Sequence, residues 1–181
     1  MAIISQNRRQ FLGTLASTTV IVPAAISGRA GAAEESVAAF RYEIERTESE
    51  WRTLLSDHEF DILREFKTEP RFSSRLWNED RTGEYRCRGC DLPVYSSEWK
   101  TLRTIGWVFF FHSIPDSTLT SIDVLPEDRA EMEEAGAMAT PETMIETHCR
   151  RCGSHHGHIV LVEGDILHCI NGASLTFHEA A

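Results

Sequence analysis

The sequence predicts a mainly β domain entered through a short helical pair. Three observations carry that reading. From about Thr82 the chain breaks into short runs rich in β-branched and aromatic residues, "GEYRC", "LPVYSS", "GWVFFFHS", "HIVLV" and "ILHCI", each of strand length. Ahead of them stand two capping boxes in close succession. Two C-x-x-C pairs, with residues 91–148 between them, then bracket much of the strand region.

Taken in order, residues 33–46 are polar with scattered apolar positions and read as a flexible lead-in to a domain over 47–181. "TESE" (Thr47 to Glu50) opens a helix carrying Trp51, Leu54 and Leu55. "SDHE" (Ser56 to Glu59) opens a second, with Phe60, Leu63 and Phe66 on one side. In each box a hydroxyl and a Glu three residues on satisfy two amide donors that the first turn would leave unpaired. "HIVLVEGDILHCI" reads as a hairpin turning at "EGD". "LPEDRAEMEEAG" (Leu125 to Gly136) reads as an exposed acidic helix inside a long connection.

The N-terminus has a different character. "NRRQFLG", the mildly apolar "TLASTTVIVPAAI" and the small residues "AGA" follow one another as a charged region, a hydrophobic region and a cleavage site. Paired Arg8 and Arg9 ahead of Phe11 and Leu12 give residues 1–32 the form of a twin-arginine signal, with cleavage expected after Ala32 and export to the periplasm. A general secretory signal with two incidental arginines is the alternative. The apolar run is shorter than the ~20 residues that span a bilayer, so no transmembrane anchor is expected. The whole chain carries a formal charge of −10; without residues 1–32 it holds 15 basic and 28 acidic residues, a charge of −13. A chain that acidic is repelled by phosphate backbones, which excludes nucleic acid as an expected partner.

Five cysteines remain to be explained. Cys87-Arg-Gly-Cys90 and Cys149-Arg-Arg-Cys152 are paired knuckles, each able to aim two thiolates at one ion, and together they form a closed S₄ shell suited to structural zinc. The 58 intervening residues exceed the ~15–20 of a compact zinc ribbon, so the site would clamp distant parts of the domain. Two disulfides or a dithiol redox centre are the alternatives, although redox C-x-x-C motifs occur singly at a helix start after a strand. Cys169 is left over. The hairpin would fold "ILHCI" back beside "HIVLV", bringing Cys169 near His155 and His158, and a thiolate near protonatable imidazoles has the elements of an acid-assisted nucleophile. A free cysteine is also commonly a small buried hydrophobe, and the histidines could be surface residues or a second metal cluster.

"CRGC", "GW", "CRRCGSHHGH" and "CINGASLTF", in that order, resemble the B-type methionine sulfoxide reductases, which act on the R epimer. "EWRTLLSDHEFDILREFKTEPRFSSRLWNEDRTGEYRC" is similar to the family's N-terminal segment, so the likeness spans about residues 47–177. The resemblance implies two antiparallel sheets with short N-terminal helices and a structural Zn²⁺ on Cys87, Cys90, Cys149 and Cys152. It makes Cys169 the nucleophile, which becomes a sulfenic acid as methionine leaves. It gives His155, His158 and Asn171 the binding and protonation of the sulfoxide oxygen. It makes Trp107 the wall against the substrate methyl group, with Phe110 and Phe177 as further substrate-binding candidates. Oxidised proteins or peptides are the implied substrates, a thioredoxin-like protein or small thiol the reductant, and a monomer the expected form.

The chain also departs from the family pattern. Ile105 stands where many members carry a resolving cysteine, so an external thiol must attack the sulfenic acid. Val108-Phe109 replaces the usual Pro-Ser, the "VEGD" turn is short, and an insertion falls around residues 121–140. Leu167 replaces an arginine that would favour thiolate, and His168 beside it faces the other side of the strand. Two alternatives to a reductase follow: a catalytically idle zinc-stabilised β domain that binds oxidised peptides or a partner, and a thiol redox sensor acting through Cys169.

Overall fold

The computed structural model describes residues 40–124, 137–138 and 143–181. The expected signal segment and the acidic helix expected over 125–136 lie outside these residues.

Helices α1 (Glu48–Leu54) and α2 (Asp57–Glu65) begin at Thr47 and Ser56, and both capping boxes form in full, hydroxyl to N3 amide and N3 glutamate back to the cap amide. Helix α2 ends at Phe66, which takes a left-handed conformation with φ 59°. The strands are β1 (Gly83–Cys87), β2 (Pro93–Ser96), β3 (Lys100–Thr101), β4 (Val108–Phe110), β5 (Thr118–Val124), β6 (Ala137–Met138), β7 (Thr143–Cys149), β8 (His155–Val162), β9 (Asp165–Ile170) and β10 (Leu175–Glu179). They form two antiparallel sheets: β10-β1-β2, and β3-β4-β9-β8-β7-β5 with β6 paired to β8.

Side-chain alternation along the larger sheet creates two cores. Val108, Phe110 and Ile170 point toward Tyr85, Val94 and Tyr95 of the small sheet and toward Trp51, Phe60 and Leu63 of the helices. Trp107, Phe109, Leu167 and Cys169 point the other way, into a second cluster with Ile105, Met144, Val160 and Val162. The predicted hairpin forms with Val162 opposite Asp165, leaving the two-residue turn Glu163-Gly164. Both turn residues have positive φ, 53° and 93°, the geometry whose twist matches antiparallel strands.

Residues 40–46 pass beside the second knuckle. The Ile44 amide donates to Arg151 O at 3.0 Å, and Tyr42 packs edge-on against His148 with ring centroids 6.1 Å apart. Among the described residues no helix is long and apolar enough to cross a membrane.

Candidate active site and tetracysteine cluster

The strand register brings the predicted pair together. His158 on β8 lies directly opposite Cys169 on β9, and Phe109 on β4 lies opposite Cys169 on the other side. A small pocket at this point is lined by Thr68, Trp107, Gly157, His158, Cys169 and Asn171. Trp107 is fixed there by its Nε1–H, which donates to Glu69 O at 2.9 Å. Glycine is required at 157: its φ is 156°, and a Cβ would meet Cys169 O at 2.1 Å, so only a bare backbone lets β8 run this close to the cysteine.

Cys169 is 6 % exposed. Burial pushes its thiol up, and the Glu69 carboxylate adds to the shift, because both disfavour a thiolate. No arginine offsets this from position 167: Leu167 is wholly buried in the apolar cluster around the cysteine. His168 does not offset it either. Its Nδ1 bonds Tyr95 Oη at 3.1 Å on the opposite face of β9, and burial, with the neighbouring His112, brings its pKa down to about 4.

Two carboxylates stand behind the two histidines. His155, fully buried, pairs through Nδ1 with Glu146 Oε1 at 2.8 Å, and its Nε2 has no hydrogen-bond partner among the described residues. Its ring lies 5.2 Å from that of His158 and 5.6 Å from Phe66. His158 pairs through Nε2 with Asp123 Oδ2 at 3.1 Å. Burial and the nearby His155 lower the His158 pKa, and Asp123 opposes them. Burial works against the Glu146 carboxylate, but hydrogen bonds from His148, His155 and Ser121 outweigh it and hold this group well below the usual carboxylate range.

Asn171 lines the pocket, yet both of its amide atoms are engaged by backbone. Its Oδ1 accepts from the Glu69 amide at 2.9 Å, and its Nδ2 donates to His156 O at 3.1 Å. Glu69, the residue sequence reasoning missed, ties these parts together. Its buried carboxylate accepts from Gly172 N and Ala173 N, both at 2.8 Å, just past the cysteine. Burial raises the Glu69 pKa against the pull of those two amides. Glu146 and Asp123 were missed as well. Glu69 lies in "KTEP" and Glu146 in "IETHC", where an acid beside apolar or hydroxyl residues gives no periodic signal, and only their burial marks them out.

Two expected substrate-wall residues lie elsewhere. Phe110 stacks on Tyr95, ring centroids 4.3 Å apart, in the core between the sheets, because alternation along β4 turns it away from Cys169. Phe177 is on β10 of the small sheet, tilted against Tyr85 at 5.0 Å. Phe109 holds the cross-strand position beside Cys169 instead.

Away from this pocket, Cys87, Cys90, Cys149 and Cys152 bring their four sulfurs within 4.8 Å of one another. Cys87 Sγ lies 3.7 Å from Cys152 Sγ, and Cys90 Sγ lies 3.5 Å from Cys149 Sγ. A tetrahedron of ~2.3 Å metal–sulfur bonds sets its corners about 3.8 Å apart, so this donor set fits a single tetrahedral ion. All five cysteines are unbridged.

Comparison with known proteins shows the family of this chain. The family model described as the SelR domain matches residues 55–179. Peptide methionine sulfoxide reductase B3 of Arabidopsis thaliana is 35% identical over 143 residues, 76% of this chain and 72% of that protein. Peptide methionine sulfoxide reductase MsrB of Thiobacillus denitrificans is 34% identical over 137 residues, covering 74% and 93%. The MsrB of Methanosarcina barkeri is 33% identical over 138 residues, covering 74% and 87%. The chain belongs to the SelR-domain family, with the B-type methionine sulfoxide reductases as its relatives.

Proposed function

We propose that this chain reduces methionine-(R)-sulfoxide in peptides or proteins to methionine, with Cys169 as the attacking sulfur. The observation that carries the proposal is the register of β8 against β9, which sets His158 opposite Cys169 in a pocket walled by Trp107. The Cys169 sulfur attacks the sulfoxide sulfur and the S–O bond breaks. The oxygen passes to Cys169 as a sulfenic acid, and the thiol proton stays with that oxygen, so the products are methionine and Cys169 sulfenic acid.

The resting thiol is protonated, so attack needs its proton moved as the oxygen gains charge. His158, which lines the pocket, supplies the proton to that oxygen, and His155, its ring 5.2 Å from that of His158, assists it. Trp107 offers a flat apolar face to the methyl group, and Asn171 shapes the floor through the backbone bonds it makes. Cys87, Cys90, Cys149 and Cys152 would hold Zn²⁺, whose contribution is structural because four protein ligands leave no open position. The remaining cysteines all belong to that cluster, and Ile105 offers no thiol. Two equivalents of an external thiol, or a dithiol redoxin, therefore reduce the sulfenic acid, releasing water and a disulfide. Arg8 and Arg9 support export by the twin-arginine route to the periplasm.

The test is a single turnover without reductant. A methionine-(R)-sulfoxide peptide should yield one methionine per chain, and a sulfenic acid trapped by dimedone on Cys169 alone. An idle binding domain, the reading that buried Leu167 favours, predicts no methionine and no adduct.

A further inference from the structure

The larger sheet presents one face to the pocket, and the strands contribute to it in turn. Ser121 pairs with Glu146, Glu146 with His158, and His158 with Cys169, so these four side chains share that face across β5, β7, β8 and β9. Asp123, two residues along β5 from Ser121, falls on the same face one step diagonal to this row. It reaches past β7 to place Oδ2 at 3.1 Å from His158 Nε2. His158 is 3 % exposed and the Asp123 side chain 32 %, so a buried imidazole is gripped by a carboxylate that remains in touch with water.

We propose that Asp123 is the positioning residue for His158, fixing which ring nitrogen faces the reaction. This rests on the reading that Cys169 attacks the sulfoxide in the pocket His158 lines. A carboxylate accepts only, so its partner nitrogen Nε2 carries a proton, and in the imidazolium Nδ1–H is the second donor, left for the substrate oxygen. His155 is held the opposite way round: Glu146 takes its Nδ1, and Nε2 is the nitrogen left without a partner. The two imidazoles are thus gripped through different nitrogens, His155 through Nδ1 and His158 through Nε2. The ordering comes from two acids on two different strands.

The titratable groups facing His158 are Asp123 from β5, Glu146 from β7, His155 on β8 itself and Cys169 from β9. Of these, Asp123 bonds the ring directly, and its charge supports the imidazolium against burial.

Asp123→Asn tests this, with Asp123→Glu as the charge-retaining control and Cys169→Ser as the reference for the site. Asp123→Asn is expected to lower kcat about ten- to hundredfold, with KM changed less than about threefold. The alkaline limb of its kcat profile should move to lower pH, because imidazolium is lost sooner. Asp123→Glu should recover at least part of kcat and return the limb toward its original position. Loss of melting temperature with kcat and the alkaline limb unmoved, or the same kcat loss in Asp123→Glu as in Asp123→Asn, would overturn the proposal. Should Asp123→Asn not fold, Asp123→Ser takes its place: a lowered kcat with the limb moved to lower pH supports the role, and an unchanged kcat with an unmoved limb refutes it. If Cys169→Ser keeps turnover, the site reading falls first; if Cys169→Ser is inactive and Asp123→Asn is unchanged, only the role of Asp123 falls.

Discussion

Glu69 carries more of the site than any residue that touches sulfur chemistry by type. Its amide, its carbonyl and both carboxylate oxygens are bonded to Asn171, Trp107, Gly172 and Ala173. Glu69→Ala would strand two amides, and each buried, unpaired N–H costs about 1–3 kcal/mol. We expect a clear loss of stability in urea unfolding together with lost turnover. Glu69→Gln keeps an acceptor and removes a charge that raises the Cys169 thiol, so it should be milder and should speed alkylation of Cys169 near pH 8. Equal stability for Glu69→Ala and the parent chain would contradict this account. Cys169, His155 and His158 stood out by residue type and by the expected hairpin, whereas Trp107 entered only through the family resemblance. A lone glutamate in "KTEP" looks like any solvated acid until its four bonds are seen.

At the scale of elements, the meeting of β8 and β9 decides whether there is a site at all. Gly157 lets the two backbones close up behind the cysteine, and a Cβ there would overlap Cys169 O. Gly157→Ala must therefore push the strands apart, and overpacking of this kind costs about 1–3 kcal/mol or more. The expected outcome is a lower melting temperature and a fall in kcat exceeding that of Ala substitution at exposed Gly164, where φ of 93° strains an alanine but a Cβ meets nothing within 4 Å. The two helices and the strands β1, β2, β4, β8 and β9 were legible because capping boxes and apolar runs are local signals. Strands β5, β7 and β10 were not: "TLTSIDV", "TMIETHC" and "LTFHE" mix hydroxyls and charges into their pattern, and their pairing depends on partners far along the chain. The same alternation accounts for Phe110, whose neighbour Phe109, and not Phe110 itself, faces the cysteine.

For the whole molecule, the two knuckles join segments far apart in sequence, and the domain between them supplies β2 through β7. Sequence reading anticipated that clamp and the two-sheet plan, the first from spacing and the second from family resemblance. It could not anticipate that Ile105 and Leu167, which depart from the family pattern, belong to one apolar cluster with Met144, Val160 and Val162 around Cys169. This explains why burial drives the Cys169 thiol up, and it leaves the proposed proton handling to the histidines and the acids bonded to them. Arginine alone at position 167 would enter that cluster without a partner, so the departure is a property of the whole cluster and not of a single site.

The measurement that meets the central claim most directly is turnover of the two separated methionine sulfoxide epimers in a peptide, with dithiothreitol as reductant. The R epimer should be reduced, the S epimer left intact, and Cys169→Ser should abolish the reaction while keeping its fold. Equal reduction of both epimers, or turnover that survives Cys169→Ser, would contradict the account.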